Sequence, residues 1–236
     1  MNTKVKAYWL GHSAFKLISP QGRNILIDPF LSQNPSTPEE FKNQDEADYI
    51  LLTHGHEDHV GDTLQIADKT KATVVGIVEL MGLLKQDGLA AEQAVEFNKG
   101  GTVEFDEFSV TMTSANHSSS FGGRYAGDPA GLVVSFKDDI TLYHMGDTNI
   151  FMDLQLYADL YKPDVAFVPM GDHFTMGPGE AARAVEMLNP SHAVPIHYAT
   201  FPPLVDDPKE FKQLTEAKTS TKVITPEAGD EFLSNL

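Results

Sequence analysis

The chain has 236 residues, 41% of them hydrophobic and 22% charged, which are the proportions of a globular protein with a sizeable core. Its 17 basic and 34 acidic residues give a formal charge of -17, which repels nucleic-acid backbones and anionic membrane surfaces. Because there is no cysteine, disulfides and thiolate metal ligands are excluded. No signal peptide and no apolar run of membrane-spanning length are visible, so we expect one cytoplasmic domain over residues 1–236.

Hydrophobic periodicity and turn signals predict strands and helices that follow one another without a linker. Strands are expected at residues 5–10, 14–18, 24–27, 47–52, 73–77, 94–97, 102–105, 108–114, 132–136, 140–144, 165–168, 193–196 and 222–224. One helix is expected from a cap at Asp62 to about residue 70, and others are expected at residues 78–86, 152–161, 179–188 and 208–217. Residues 31–46 and 117–131 are rich in turn-forming and polar residues and are expected to be irregular. This order alone indicates an α/β protein.

The most informative stretch follows the predicted strand at 47–52. His54, His56, Asp58 and His59 lie within six residues of one another. Imidazoles and carboxylates crowded at the end of a strand lose hydration and repel one another unless a cation lies between them. His54 and His56 are two residues apart, so in extended chain they point the same way and can hold one divalent metal ion. Asp58 and His59 follow in turning chain and can face a second ion.

The pattern of these four residues after an apolar strand resembles the signature of the metallo-β-lactamase superfamily of binuclear hydrolases. The resemblance implies a four-layer αββα sandwich, in which two mixed sheets are flanked by helices and the metal ions lie where strand-end loops converge. Gly11-His12-Ser13 and the later loop at residues 171–176 resemble, more narrowly, a compact bacterial branch of metal-dependent hydrolases related to the ascorbate-phosphate lactonases.

Three further residues each follow a predicted strand and match, in order, the remaining ligand positions of the superfamily. They are His117, Asp147 and His197. The resemblance implies that one metal ion is held by His54, His56 and His117. It implies that the other is held by Asp58, His59 and His197, with Asp147 bridging the two. A carboxylate suits the bridge because it can give one oxygen to each ion and so lowers the repulsion between them.

Nitrogen and oxygen ligands without sulfur suit zinc, which we expect first, and also manganese, iron or nickel. A water molecule between two such ions has its pKa lowered from ~15.7 towards ~7, so that hydroxide is available at neutral pH. We therefore predict a binuclear metal-dependent hydrolase in which this hydroxide attacks a small ester, lactone or phosphoester. Asp58 and Asp147 are predicted to act in catalysis as well as in metal binding.

Histidines outside this set have less specific surroundings. His173 lies in a glycine-rich loop after a strand of the kind that delivers ligands, and we predict that it faces the substrate as a catalytic residue or supports the site. His12 lies in a tight connection between strands, where a local hydrogen-bonding role is favoured. His144 and His192 lie within or just before strands, which favours the core or a place behind the ligands. Arg124 either selects an anionic group of the substrate or only accompanies turn-forming glycines.

Two other classes of function stay open. A mononuclear iron oxidoreductase of the same superfamily, such as a persulfide dioxygenase, would use one site only. A metal-stabilised binding protein would show no turnover. The presence of Asp58, Asp147 and His197 favours the binuclear hydrolase. The expected partner is a small molecule, with an anionic substrate as one option; no nucleic acid or membrane partner is expected, and a homo-oligomer stays open.

Overall fold

A computed structural model of the chain describes residues 3–234. The first sheet is formed by strands that lie side by side in chain order. They are β1 (Lys6–Trp9), β2 (Phe15–Ile18), β3 (Asn24–Ile27), β4 (Tyr49–Leu51), β5 (Thr73–Ile77) and β6 (Ala94–Phe97). Strands β1 to β3 pair antiparallel, whereas β3 to β6 pair parallel. This sheet is therefore mixed, and β4 lies inside it.

The second half of the chain supplies the other strands. They are β7 (Thr102–Glu104), β8 (Phe108–Ser114), β9 (Ser120–Phe121), β10 (Arg124–Tyr125), β11 (Ala130–Phe136), β12 (Thr141–His144), β13 (Val165–Pro169), β14 (His192–Ile196) and β15 (Lys222–Val223). The second sheet has the order β15-β14-β13-β12-β11-β8-β7, and β9 and β10 form a small separate hairpin. Pairing is antiparallel from β7 to β12 and parallel from β12 to β15.

The described residues form seven α-helices. They are α1 (Glu39–Lys42), α2 (Glu57–Val60), α3 (Thr63–Thr70), α4 (Val78–Gln86), α5 (Leu154–Tyr161), α6 (Pro178–Leu188) and α7 (Lys209–Lys218). Helices α3 and α4 contact the first sheet, α6 and α7 contact the second sheet, and α5 packs against α6. The predicted four-layer αββα sandwich is thus confirmed. Within residues 3–234, no helix is both long enough and apolar enough to cross a bilayer.

The core lies between the two sheets, where their apolar faces meet. The rings of Phe15 in β2 and Phe167 in β13 stack with centroids 4.0 Å apart, and Phe232 packs against both. All residues of β13 are buried, as expected for a parallel strand covered on both faces. The end of the chain returns to the first sheet, where the Phe232 amide donates to the carbonyl of Ala7. Residues near both ends of the described chain therefore belong to the layer of the first sheet.

Two local expectations differ from the structure. The stretch 31–46, expected to be irregular, contains the one-turn helix α1, and the stretch 117–131 contains the hairpin of β9 and β10. The helix expected after the cap Asp62 begins at Thr63 and ends at Thr70 as predicted, although the Asp62 side chain makes no capping hydrogen bond. The Asp62 side chain accepts hydrogen bonds from the backbone amides of Leu31 and Ser32, each at 2.8 Å, and so anchors the preceding loop. These short features depend on tertiary contacts more than on local propensity.

We expect Leu17→Ala to lower the free energy of unfolding by about 2–5 kcal/mol, because the side chain is fully buried between the sheets and its removal leaves a cavity. Urea unfolding measures the change. Leu160→Ala, at a position that is 69% exposed, is the matched control and should change stability by about 0.5 kcal/mol or less. Equal losses for the two variants would contradict the packing described above.

Candidate metal centre

The predicted ligands meet beyond the ends of four strands that come from both sheets. The loop after β4 carries His54 and His56, and the loops after β8, β12 and β14 carry His117, Asp147 and His197. Parallel strands deliver their following loops to one edge of a sheet, which is why residues far apart in the chain converge here. All seven predicted ligands lie in this cluster.

The first group of donors is formed by three histidines. Donor atoms of His54, His56 and His117 all lie within 4.8 Å of one another. His54 Nε2 is 3.0 Å from His56 Nδ1, and the His117 ring lies 5.4 Å and 5.1 Å from the two rings, centroid to centroid. The second group contains Asp58 and His59, which the one-turn helix α2 places side by side.

The second group also contains His197 and one residue that the sequence interpretation did not place there. Donor atoms of His12, Asp58, His59 and His197 lie within 4.8 Å of one another. His12 is fully buried, and its Nε2 is 3.2 Å from Asp58 Oδ2. The local hydrogen-bonding role predicted for His12 is therefore only part of what it does. The turn between β1 and β2 packs directly onto the loop of His197, which brings the His12 ring to the second group of donors. The Gly11-His12-Ser13 motif was the only sequence signal of this.

Asp147 lies between the two groups. Its carboxylate is almost fully buried, with Oδ1 3.3 Å from His59 Nε2 and Oδ2 3.0 Å from His197 Nε2. His117 Nε2 is 3.6 Å from the same Oδ2. The carboxylate thus reaches donors of both groups, which is the position that a bridging ligand needs.

Two buried polar atoms at the centre of the cluster show that the donors fit a metal ion. His59 Nε2 and Asp147 Oδ1 face each other, yet neither has a hydrogen-bond partner among the described residues. Buried polar atoms without a partner are rare and call for a specific explanation. A divalent cation between them would satisfy both, and the surrounding donors are nitrogen and oxygen atoms that zinc, manganese, iron or nickel accept. The donor set therefore fits a metal centre.

A second layer of hydrogen bonds orients the imidazoles. His59 Nδ1 lies 2.7 Å from the buried carboxylate of Asp28, which also accepts from the Thr53 amide and hydroxyl. His54 Nδ1 lies 3.0 Å from the same Thr53 hydroxyl. A carboxylate behind a ligand histidine fixes the tautomer and raises the basicity of the inner nitrogen. Asp28 was not among the predicted site residues, because it lies 25 positions before Thr53 and has no motif of its own.

Most of the imidazoles are held neutral, so their nitrogen lone pairs are free for a metal ion. Burial lowers the pKa of His54 well below its ordinary value, and burial also lowers the pKa values of His56 and His117. Burial, together with the neighbouring His197, lowers the pKa of His12 to about 4. Metal ions bind unprotonated imidazole, so these shifts favour coordination near neutral pH.

At the centre of the site, by contrast, the charged forms of His59 and Asp147 are favoured. Burial disfavours the charged form of His59, but the carboxylates of Asp147 and Asp28 raise its pKa well above the ordinary range. For Asp147, burial also disfavours the charge, yet His197 and His59 hold the carboxyl pKa well below its usual value. One proton on His59 thus partly replaces the positive charge that a metal ion would bring.

The backbone around the site is strained. His12, Asp28 and His197 have positive φ angles of 54°, 45° and 58°, although left-handed backbone costs a non-glycine residue about 1–3 kcal/mol. At Gly171, a Cβ atom would lie 1.8 Å from the carbonyl oxygen of His197, so only glycine allows this approach. Strain of this kind persists where the surrounding structure fixes a functional geometry.

A cavity of about 340 Å³ opens onto the donors, and Phe174, which is 52% exposed, stands at its rim. It is lined by His56, Asp58, His117, Ser118, Asp147, Phe174 and His197. His173 is exposed and adjoins Phe174, but it is not among the lining residues.

Arg124 is paired with Asp87 rather than directed at the cavity. His144 is buried behind the site, where it joins the Ser13 carbonyl to the Gly146 amide, and His192 is half-buried at the start of β14.

Comparisons with known proteins agree with this fold and site. The model of the beta-lactamase superfamily domain matches residues 23–198. A UPF0173 metal-dependent hydrolase of Methanosarcina mazei is 44% identical over 232 residues, which cover 97% of this chain and 98% of the relative. Another, of Herpetosiphon aurantiacus, is 41% identical over 230 residues, or 95% of each chain. The solved structure of Igni18, described as a novel metallo hydrolase from Ignicoccus hospitalis, is 37% identical with a TM-score of 0.86 over 97% of both chains.

The fold and its ring of imidazoles and carboxylates therefore define a protein of the metallo-β-lactamase class. Within that class, the chain belongs to the beta-lactamase superfamily branch of metal-dependent hydrolases. The superfamily predicted from the sequence and its metal-dependent hydrolase branch are confirmed.

The pKa shifts predict that the metal-free protein loses stability as the pH falls from 6.5 towards 4. In that window, the unfolded chain takes up protons on His12, His54 and similar residues that the folded protein excludes, so acid favours unfolding. The raised pKa of His59 acts only above 6.5, and the lowered pKa of Asp147 acts only below 3.8, so neither opposes the trend. Urea midpoints measured with a chelator at pH 6.5 and pH 5 test this. A midpoint that does not change would contradict it, and His54→Gln should flatten the dependence.

We expect Asp28→Asn to weaken metal binding by about 10- to 100-fold, because the amide is a poorer acceptor for His59 Nδ1 and no longer fixes that ring. Competition with a chromophoric chelator measures the affinity. Asp153→Asn, an exposed carboxylate without a side-chain capping bond, is the control and should bind metal as the wild type does. Wild-type affinity in Asp28→Asn would show that His59 is oriented by other contacts.

Proposed function

We propose that this chain is a binuclear metal-dependent hydrolase that acts on a small ester, lactone or phosphoester. The observation that carries the proposal is the buried Asp147 carboxylate, which reaches donors of two separate groups at distances of 3.0 to 3.6 Å. One group is His54, His56 and His117, and the other is Asp58, His59 and His197. A single tetrahedral ion takes four ligands, and these donors are too many for it.

The bound ions would supply a Lewis acid for the substrate oxygen and an ionised water as nucleophile. The residues of the chain have distinct tasks around them. Asp147 would hold both ions and would offset their repulsion. Asp28 holds the imidazole of His59 in one orientation. Asp58, which is 29% exposed and lines the cavity, is placed to hold a proton that leaves the reacting water or returns to the leaving group.

The cavity favours a small and weakly charged substrate. Its volume is about 340 Å³, and no lysine or arginine is among its lining residues. A substrate with several negative charges would meet the field of a chain with a net charge of -17 and would find only the metal ions for compensation. We therefore place a neutral ester or lactone ahead of a phosphodiester. The Phe174 ring would cover an apolar part of the substrate, and the Ser118 hydroxyl would donate a hydrogen bond to it.

The test is the metal content and turnover of Asp147→Asn. This change removes one negative charge and one of the two donor oxygens at nearly constant volume, so both ions should bind at least about 10-fold more weakly and turnover should fall at least about 100-fold. Elemental analysis and hydrolysis of a panel of lactones, esters and phosphodiesters measure the two effects.

His173→Ala is the paired variant, since this exposed side chain lies outside the cluster of donors. It should keep the metal content of the wild type and change only turnover if His173 faces the substrate. Two ions and full activity in Asp147→Asn would refute the bridging role. One ion in the saturated wild type would refute the binuclear site and favour a mononuclear centre.

A further inference from the structure

His12 has contacts that a purely structural histidine does not need. It is fully buried, its ring lies 4.1 Å from that of His197, and its Nε2 is 3.2 Å from Asp58 Oδ2. Its carbonyl accepts hydrogen bonds from the His197 amide at 3.1 Å and from the Trp9 indole at 3.0 Å. The backbone thus already joins the turn to the loop of His197, so the imidazole is not required for that connection.

The hydrogen bonds of Thr200 fix which ring nitrogen of His12 carries hydrogen. The Thr200 hydroxyl donates to the Tyr198 carbonyl at 3.1 Å, so its oxygen is free to accept. With the hydroxyl hydrogen on the Tyr198 carbonyl, His12 Nδ1, which lies 2.9 Å from the Thr200 oxygen, donates to it. In the neutral imidazole, Nε2 then bears a lone pair that faces the Asp58 carboxylate. Two lone pairs at this distance repel each other unless a proton or a metal cation lies between them.

The same arrangement recurs at two of the ligand positions already described. His54 Nδ1 is tied to the Thr53 hydroxyl and His59 Nδ1 to the Asp28 carboxylate, and in both rings Nε2 points to the centre of the cluster. An outer nitrogen that donates and an inner nitrogen that stays free is the usual state of a histidine that binds a metal ion. His12 matches this state in its outer partner, in its burial and in the direction of Nε2.

We propose that His12 Nε2 is a direct ligand of the second metal ion, beside Asp58, His59 and His197. The inference rests on the proposed binuclear site and deepens it. With the Asp147 bridge, the second site has five protein donors, whereas the first has four. A cation at this position would lie between the His12 Nε2 lone pair and the Asp58 carboxylate and would remove their repulsion. Five donors exceed the four of a tetrahedral zinc site, so the second site suits an ion that accepts five or six ligands, such as manganese, iron or nickel.

Binding of cobalt to the His12→Gln variant tests the inference without any assay of activity. The glutamine amide can still donate to Asp58, so it preserves a supporting role but not coordination by an imidazole. We expect cobalt binding at the second site to weaken more than about 100-fold, beyond what loss of an outer contact causes, while the first site changes less than threefold. In the cobalt-saturated protein, the number of strongly shifted exchangeable imidazole resonances in the proton NMR spectrum should fall by one.

A second variant keeps the test decisive if His12→Gln does not fold. Thr200→Val removes the partner of His12 Nδ1 and should weaken the second cobalt site about 10-fold. Thr215→Val is its matched control, because that buried hydroxyl has no hydrogen-bond partner among the described residues, and it should leave cobalt binding unchanged.

The outcomes separate the two proposals. Binding of the second cobalt ion within threefold of wild type in His12→Gln, or an unchanged number of shifted resonances, overturns the role of His12 and leaves the binuclear site standing. If Thr200→Val is the variant measured, wild-type cobalt affinity at the second site likewise overturns the role of His12 and leaves the binuclear site standing. A wild-type protein that binds one cobalt ion at saturation overturns the proposed function and this inference together.

Discussion

The arrangement depends on a carboxylate that is kept out of water. Asp147 is 1% exposed, and an ionised carboxylate at such a position costs several kcal/mol unless positive charge surrounds it. The imidazoles of His59 and His197 lie against it, but neutral rings alone do not balance the charge. In the metal-free protein a proton on His59 supplies part of the compensation. Metal ions supply more, which makes the buried charge a driving force for metal binding rather than a defect of the core.

The fold meets this demand by using both sheets as rigid supports. β4 belongs to the first sheet, whereas β8, β12 and β14 belong to the second, so the donors are fixed by two layers that pack through Phe15 and Phe167. Between strand and donor, the chain has only a few residues in which to turn. Asp28 and His197 each come directly after the last residue of a strand, and both have left-handed backbone because the chain must turn at once. A strained turn holds its side chain more narrowly than a relaxed loop would, which suits a site where small displacements matter.

The sequence predicted the parts of the site that have local patterns. His54, His56, Asp58 and His59 are neighbours, and His117, Asp147 and His197 each follow a strand that its own apolar residues reveal. Asp28 has no such signal and His12 has only the short Gly11-His12-Ser13 motif, since their roles arise from contacts with Thr53 and Thr200 that only the folded chain brings close.

Loop geometry sets the same limit on prediction. Arg124 is adjacent to a ligand loop in sequence but turns towards Asp87, and the rim of the cavity is formed by Phe174 rather than by the neighbouring His173. The sandwich itself was predictable because strand order and periodicity survive in sequence, whereas the direction of an exposed side chain does not.

The contact between His12 and Thr200 joins residues 188 positions apart, and this separation has a consequence for a chain still emerging from the ribosome. His54, His56 and His117 are all synthesised well before the strand that precedes His197. All three donors of the first group are therefore present in the chain before the last member of the second group has been synthesised. The second group of donors can be complete only after residue 197 has been synthesised, and the contact that orients His12 only after residue 200.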